Sequence, residues 1–310
     1  MSGEIIPKKF GLSSLQLRDL DSDTRSFVAT AVAGVVRRNM SIEISVERAA
    51  WASGSGSVDF FRYVAAEWTE LLIKHCFLAE DSTILDIGCG AGRMAFGMSA
   101  YLGDNGSYTG FDPLEDQIAF ANEAINRPNF SFQHVDLWHR LYRPGGKINP
   151  DSFRFPTADA SVDVAVSASV ITHLERETAQ HHLDETARVL RHGGRALYST
   201  FIITPDMLPE NGAVTRLFGD NHILHAARNE HFEWRFAARG DGFYTHSDEA
   251  GAPKNHYMAD PLGDPMAYEI ATFTRMVEQA GLRVVEFLPG AWCREHYIDS
   301  YQDVFVLERP

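Results

Sequence analysis

The segment that most constrains the fold is an apolar run that ends in a glycine-rich turn. Residues 83–93 read TILDIGCGAGR. Residues 84–87 predict a buried parallel strand, and the three glycines allow a sharp turn, close approach of a ligand and entry into a helix that begins near Arg93. This unit predicts a nucleotide site in an α/β protein. The turn alone is a weak signal, because dinucleotide-binding proteins carry a similar one.

The strands that follow in the sequence end on polar residues. Residues 107–112 end on Asp112, roughly twenty residues beyond the glycines, where a carboxylate can accept hydrogen bonds from ribose hydroxyls. Residues 130–137 contain Asp136, and residues 162–169 contain Ser167. Because ligands of open α/β sheets bind outside the carboxyl ends of the strands, we expect these side chains to line one pocket around adenosine.

Four segments together resemble the class I S-adenosylmethionine-dependent methyltransferases. They are LDIGCGAG at 85–92, GFDP at 110–113, HVDLW at 134–138 and SASVITHLE at 167–175. The resemblance implies an α/β, Rossmann-like, seven-stranded sheet with an antiparallel last strand and S-adenosyl-L-methionine as the cofactor. NAD or FAD binding is the weaker interpretation, because the turn lacks the GxGxxG spacing and a methyl donor has no pyrophosphate.

The resemblance also implies which residues hold the cofactor. The glycine turn would contact the methionine portion, Asp112 the ribose, and Asp136 with the backbone of Leu137 the adenine edge, while Pro113 or Leu114 would pack on the base. The full predicted set is Asp86, Gly88, Cys89, Gly90, Gly92, Arg93, Asp112, Pro113, Asp136, Leu137 and Ser167.

Four zones are predicted along the chain. Residues 1–80 form an N-terminal helical cap, 81–202 the S-adenosylmethionine-binding core, 203–265 an irregular substrate-recognition insert, and 266–310 the helix and two strands that complete the sheet. In the cap, Phe27, Val28, Ala31 and Val35 have helical spacing, as do Phe60, Phe61, Val64, Trp68, Leu71 and Leu72. These stripes could cover the active site or pack in a homodimer. The small residues 52–57 suit a joint that closes over the cofactor or an exposed linker.

Composition indicates a cytoplasmic enzyme of 310 residues. The three cysteines form no CxxC pair, and no apolar run suits a signal peptide or a membrane span. The formal net charge of -14 disfavours nucleic acid as a partner and is compatible with a cationic small molecule, although it is also ordinary for solubility.

Secondary motifs resemble the branch of these enzymes that methylates sugars, including the aminoglycoside N-methyltransferases. The motifs are YRPGG at 142–146, FRFP at 153–156, GAWCR at 290–294 and YQDV at 301–304. Residues 203–265 contain ten acidic and five basic residues, and carboxylates there could pair with an amino sugar or simply form a solvated surface. The predicted acceptor-binding residues are Glu233, Trp234, His246, Tyr257 and Trp292.

His173 is the predicted catalytic residue. It follows the fourth strand, and its ordinary pKa suits proton transfer near neutrality. Its other interpretation is structural, with Thr172, at the start of the next helix. Methylation of an amino group of an aminoglycoside is the preferred interpretation, and methylation of a sugar hydroxyl is the alternative. A nucleotide-binding partner protein without catalysis is disfavoured by the intact glycines, Asp112, Asp136 and an insert large enough for an acceptor. The histidine pairs 181–182 and 222/225 lack an obvious third ligand, so no metal is predicted.

Overall fold

A computed structural model describes most of the chain and divides it into two compact units. The described residues are 11, 13–40, 44–45, 57–140, 142–204, 225–228, 233–237, 245–247, 253–255, 266–290, 292 and 300–310. The first unit comprises Met1–Ser167, Arg188–Leu197 and Arg309–Pro310, and the second comprises Ala168–Ala187 and Tyr198–Glu308. The zone limits at 80, 202 and 265 stay predictions.

The first unit contains a parallel sheet, and the apolar runs predicted its first four strands well. Its strands are β1 (Thr83–Ile87), β2 (Ser107–Asp112), β3 (Phe130–His134), β4 (Val162–Ser167) and the first part of β5 (Leu190–Ile203), in the order β3-β2-β1-β4-β5. Leu85 lies between Thr109 of β2 and Ala165 of β4, so β1 is central and almost wholly buried. Helices α4 (Arg93–Tyr101) and α5 (Glu115–Ala124) follow β1 and β2.

In the described part of the chain three helices precede this sheet, and each begins at a side-chain cap. They are α1 (Ser14–Asp19), α2 (Ser22–Asn39) and α3 (Val58–Cys76), capped by Ser13, Asp21 and Ser57. The apolar stripe predicted for α3 is buried except for Phe60. The stripe predicted for α2 is wrong, because Phe27 is 75% exposed and the buried face consists of Ala29, Val32, Ala33 and Val36.

The N-terminal helices pack into the same unit as the nucleotide-site sheet. Phe61 of α3 meets Phe96 of α4 edge to face, with ring centroids 5.4 Å apart. The ring of Phe77, which ends α3 in a left-handed conformation, lies 4.3–5.0 Å from the guanidinium groups of Arg18, Arg25 and Arg195. Such cation–π contacts connect α1, α2 and β5 to the end of α3.

The second unit completes the Rossmann-like architecture. It contains a 3-10 turn (Ile171–His173), most of α6 (Arg176–Val189), the end of β5, β10 (Met266–Glu269), α7 (Ile270–Gln279), β11 (Arg283–Leu288) and β12 (Asp303–Glu308). β12 pairs with β5 and runs antiparallel to β11. The predicted fold class, a mixed sheet of parallel strands with an antiparallel strand at its end, is confirmed. Among the described residues this sheet has ten strands rather than the predicted seven, because β10 and two strands within residues 203–265 extend it beyond β5.

Two sequence-based expectations are wrong in this unit. Residues 203–265, expected to be irregular, contain β6 (His225–Arg228), β7 (Glu233–Ala237), β8 (Thr245–Ser247) and β9 (Pro253–Asn255). Residues 266–269, expected to begin a helix, form β10, which pairs in parallel with β5 and antiparallel with β7. Non-local strand pairing overrides the local helical spacing there. Among the described residues, no helix has the length and apolarity to cross a bilayer.

Close packing of α3 against α4 predicts opposite effects for two helical glycines. A Cβ at Gly97 would lie 2.6 Å from Thr69 Oγ1 and 2.7 Å from the carbonyl oxygen of Ala65, whereas one at Gly34 in α2 would meet only Arg38, at 3.6 Å. Gly97→Ala should lower the free energy of unfolding by about 1–3 kcal/mol. Gly34→Ala should raise it by about 0.5–1 kcal/mol through helix propensity. Urea unfolding of both variants measures this, and a neutral Gly97→Ala would contradict the packing.

Candidate cofactor site

The glycine turn after β1 has a backbone that ordinary residues rarely adopt. Gly88, Gly90 and Gly92 have φ values of 71°, 53° and 82°. The N–H groups of Gly88 and Cys89 both donate to the carbonyl of Phe111 in β2, at 3.0 and 3.1 Å. The turn is therefore fastened to the neighbouring strand, and α4 begins directly after Gly92.

Asp112 closes this turn from the end of β2. One carboxylate oxygen accepts from the N–H of Gly90 and the other from the N–H of Leu114, both at 2.9 Å. The residue is 7% exposed, and burial raises the pKa of Asp112 to about 6, although the two backbone hydrogen bonds act to lower it. The predicted ribose-binding carboxylate and the glycine turn are thus in direct contact.

Asp86 lies beneath the turn rather than at its surface. It is 1% exposed and accepts a hydrogen bond from the hydroxyl of Tyr108. Burial, with a smaller contribution from the charge of Asp112, raises the pKa of Asp86 to about 7, although the Tyr108 hydrogen bond and the charge of Arg93 act to lower it. Burial also lowers the pKa of Arg93. In this arrangement Asp86 supports the turn from the core.

The side chain of Cys89 also points into the sheet. It is 6% exposed, and a Cβ built at Gly110 would lie 2.8 Å from both its Cβ and its Sγ. Burial raises the pKa of the Cys89 thiol well above its ordinary value. Gly110 therefore leaves space for the Cys89 side chain, so Cys89 can contact a ligand through its backbone.

The other predicted cofactor residues lie at the carboxyl ends of β2, β3 and β4. Asp136 accepts from Arg143, and the N–H of Leu137 donates to the carbonyl of Val135 at 2.6 Å, within its own turn. Pro113 follows Asp112 and is partly exposed. Ser167 is fully buried, and within the described part of the chain its hydroxyl has no hydrogen-bond partner.

His173 belongs to the second unit, where it ends the 3-10 turn. Its N–H donates to the carbonyl of Val170 at 2.9 Å, and its side chain is partly buried. The hydroxyl of Thr172 donates to the carbonyl of Ser169 at 3.2 Å, so it stabilises the turn from within. The roles of His173 as a base and as a structural residue both stay open.

Only one predicted acceptor-binding side chain is described. Trp292 is 1% exposed, its ring centroid lies 4.9 Å from that of Phe201, and its indole N–H donates to Asp303. That placement gives Trp292 a packing role, and its contact with an acceptor stays a prediction. Glu233 and Trp234 are on β7 and His246 is on β8, but their side chains, and all of Tyr257, lie outside the described residues.

Two residues of this region were not predicted from the sequence. A Cβ built at Gly90 would lie 2.8 Å from Oε1 of Gln117, so the Gln117 side chain lies over the turn. Gln117 is in the first turn of α5, five positions after Asp112, and that spacing was the available signal. Tyr108 is the second, because its place near the start of β2 gave no sign that it bonds Asp86.

The buried Asp86–Tyr108 pair predicts a pH-dependent loss of stability. The raised pKa of Asp86 means that the folded state binds this proton more tightly than the unfolded chain does. The free energy of unfolding therefore falls as the pH rises to about 7. Tyr108→Phe removes a bond that favours the ionised form, which raises the pKa further and extends this loss to higher pH. We expect the free energy of unfolding to fall by about 1–3 kcal/mol near pH 8 and by less near pH 5.5.

Tyr101→Phe is the matched control for that measurement. The Tyr101 hydroxyl donates to a neutral acceptor, the carbonyl of Leu78, at 2.9 Å. Tyr101→Phe should therefore lower the free energy of unfolding by a similar amount at both pH values, as measured by urea unfolding. An effect of Tyr108→Phe that is as large near pH 5.5 as near pH 8 would contradict the assignment.

Comparisons with known proteins agree with this geometry. Residues 84–194 match the family model of a methyltransferase domain. The chain is 30% identical over 135 residues to arsenite methyltransferase of Homo sapiens, across 42% of this chain and 33% of that protein. It is 29% identical over 122 residues to 27-O-demethylrifamycin SV methyltransferase of Amycolatopsis mediterranei, across 39% of each. It thus spans about a third of the length of the arsenite methyltransferase it matches.

The fold is shared with a solved methyltransferase structure that holds S-adenosylmethionine. CalS10 of Micromonospora echinaspora, with S-adenosylmethionine bound, aligns with a TM-score of 0.52 and 14% identity over 87% of this chain and 99% of its own.

The residues present fit S-adenosylmethionine. Three positive-φ glycines expose the backbone of the turn, a buried carboxylate closes it at the end of β2, and the buried Ser167 hydroxyl ends β4. The matched segment begins in β1 and includes all of these elements. Residues 84–194 therefore match a methyltransferase domain, and the residues at the carboxyl edge of its sheet suit S-adenosylmethionine.

Proposed function

We propose that this protein transfers the methyl group of S-adenosylmethionine to an amino group of an aminoglycoside or a related amino sugar. The methyl transfer is supported by the glycine turn closed by Asp112 within a methyltransferase domain. The cationic acceptor is supported by the ten acidic and five basic residues of 203–265. The shared fold of CalS10, an amino pentose methyltransferase involved in calicheamicin biosynthesis, is consistent with a role in antibiotic biosynthesis.

Arsenite, the acceptor in the name of several relatives, is disfavoured by the placement of two cysteines. Soft thiolate ligands would be needed to hold a soft arsenic centre. Cys76 is 2% exposed and Cys89 is 6% exposed, and burial raises the pKa of the Cys89 thiol. Cys293 lies outside the described residues. A buried thiol that resists ionisation is a poor ligand.

The chemistry requires little from the protein beyond placement and proton removal. The bound cofactor supplies a methyl group that its sulfonium already activates. The turn and Asp112 hold the donor, while the acceptor nitrogen must present a lone pair in line with the methyl. As the N–C bond formed and the S–C bond broke, S-adenosylhomocysteine would leave and the nitrogen would become a cation. An acceptor amine that binds as an ammonium group must therefore first lose one proton. We assign His173 as the base that takes it.

The second candidate is methylation of a sugar hydroxyl. It is favoured by the similarity to a relative whose name specifies an O-methyl position. A hydroxyl needs a base while it attacks, which gives His173 the larger role in this alternative.

The donor site is tested by substituting Asp112. Asp112→Ala should abolish measurable S-adenosylmethionine binding, because it removes both the ribose acceptor and the partner of the Gly90 N–H. Wild-type affinity should also fall as the pH decreases through about 6, where Asp112 becomes protonated. Calorimetric titration between about pH 8 and pH 5 measures both effects. Asp116→Ala, an exposed carboxylate four residues further along the chain, is the control. Undiminished binding by Asp112→Ala would contradict the assignment of Asp112 to the donor site.

The acceptor is tested with methyl-deuterated S-adenosylmethionine. A free-amine aminoglycoside and its fully N-acetylated form are incubated in parallel, and product mass is measured. The proposal predicts label on the free amine only. Label on both acceptors would establish the hydroxyl alternative, in which His173→Ala should lower kcat by about 10²-fold or more. Label on neither, with donor binding intact, would exclude aminoglycosides.

A further inference from the structure

The loop after β3 folds back so that its far end forms hydrogen bonds with the backbone of Asp136. We call residues 137–148 the Arg143 loop; Leu141 is its one position outside the described residues. The N–H groups of Lys147 and Ile148 both donate to the carbonyl of Asp136 at 2.9 Å. A Cβ built at Gly146 would lie 2.3 Å from the carbonyl oxygen of Leu137, so only glycine lets the two strands of the loop approach this closely.

A smaller turn inside the loop fixes the backbone of Arg143. His139 and Arg143 exchange backbone hydrogen bonds of 3.0 and 2.8 Å, and the Gly146 N–H donates to the Arg143 carbonyl at 3.0 Å. The ring of Tyr142 lies 4.8 Å from that of His139. The YRPGG segment therefore builds a compact support for one arginine side chain.

That side chain binds Asp136. Nε of Arg143 donates to Oδ1 of Asp136 at 2.9 Å, and the two side chains are 37% and 27% exposed. The bond and the charge of Arg143, with a contribution from Lys147, hold the pKa of Asp136 below its ordinary value. The carboxylate is thus kept ionised and oriented, while part of it stays accessible to a further donor.

Asp136 lies beside the carboxylate that closes the glycine turn. Asp112 pairs with His134 in the β2–β3 register, and the N–H of Val135 donates to the Asp112 carbonyl at 3.1 Å. A nucleoside whose ribose is bound at Asp112 would extend its base along this edge, towards the end of β3. An ionised carboxylate accepts hydrogen bonds but donates none, so it favours an amino group on the base and disfavours an oxo group.

We propose that Arg143 is a positioning residue that sets the preference of the cofactor site for adenine by orienting Asp136. The proposal rests on the S-adenosylmethionine assignment of the proposed function, and it does not depend on which acceptor is methylated. It gives a role to the YRPGG segment, which the methyl-transfer chemistry leaves without one.

The test compares the binding of two ligands that differ at position 6 of the purine, which carries an amino group in one and an oxo group in the other. Binding of S-adenosylhomocysteine and of S-inosylhomocysteine is measured by calorimetry for the full chain and its variants. Arg143→Ala should weaken adenosyl binding roughly three- to tenfold and reduce the adenosyl-to-inosyl ratio by a similar factor. Arg143→Lys should restore part of the ratio, because it returns the charge but not the planar Nε–H.

Arg140→Ala is the control, since it removes an equal charge from the same loop and should leave the ratio unchanged. Thermal unfolding identifies a variant that fails to fold, in which case Arg143→Gln replaces Arg143→Ala. Equal weakening of both ligands, or an unchanged ratio, would overturn the proposal. A wild-type chain that binds neither ligand would instead contradict the donor assignment, and the inference with it.

Discussion

The hydrogen bond from the Gly90 N–H to the Asp112 carboxylate is the contact on which the cofactor site depends. It joins the turn after β1 to the end of β2, and the bonds from Gly88 and Cys89 to Phe111 reinforce the same connection. The arrangement requires a residue that tolerates positive φ at position 90 and an acceptor at position 112. A nucleoside site has the same two requirements, because the glycine exposes the backbone of the turn and the carboxylate can accept hydrogen bonds from ribose.

A second layer of buried groups holds this contact in place. Asp86 accepts from Tyr108 below the turn, and Cys89 fills the space that Gly110 leaves in β2. On the ligand edge, Arg143 performs the equivalent task for Asp136. Each carboxylate of the site is therefore oriented by a specific donor, which is the usual means of keeping a binding geometry rigid.

The sequence predicts the central strands and the cofactor edge well, because both follow from short-range patterns. β1 and β2 are continuous runs bounded by glycine and acidic residues, and their ends coincide closely with the structure. The direction in which a side chain points is harder to predict from the sequence. Both Phe27 and Ala29 fit a helical apolar stripe, and only packing against a neighbouring helix decides that the small residues are buried and Phe27 is not. The pairing of β10 with β5, and of Arg143 with Asp136, likewise depends on contacts that local spacing does not encode.

The most direct test of the account is a crystal structure of the chain with S-adenosylhomocysteine. The account predicts ribose hydroxyls within about 3 Å of the Asp112 carboxylate, the amino acid portion against the glycine turn, and the adenine amino group at Asp136 beside an intact Arg143 bond. A ligand bound elsewhere, or one whose ribose leaves Asp112 in contact with backbone N–H groups alone, would contradict it.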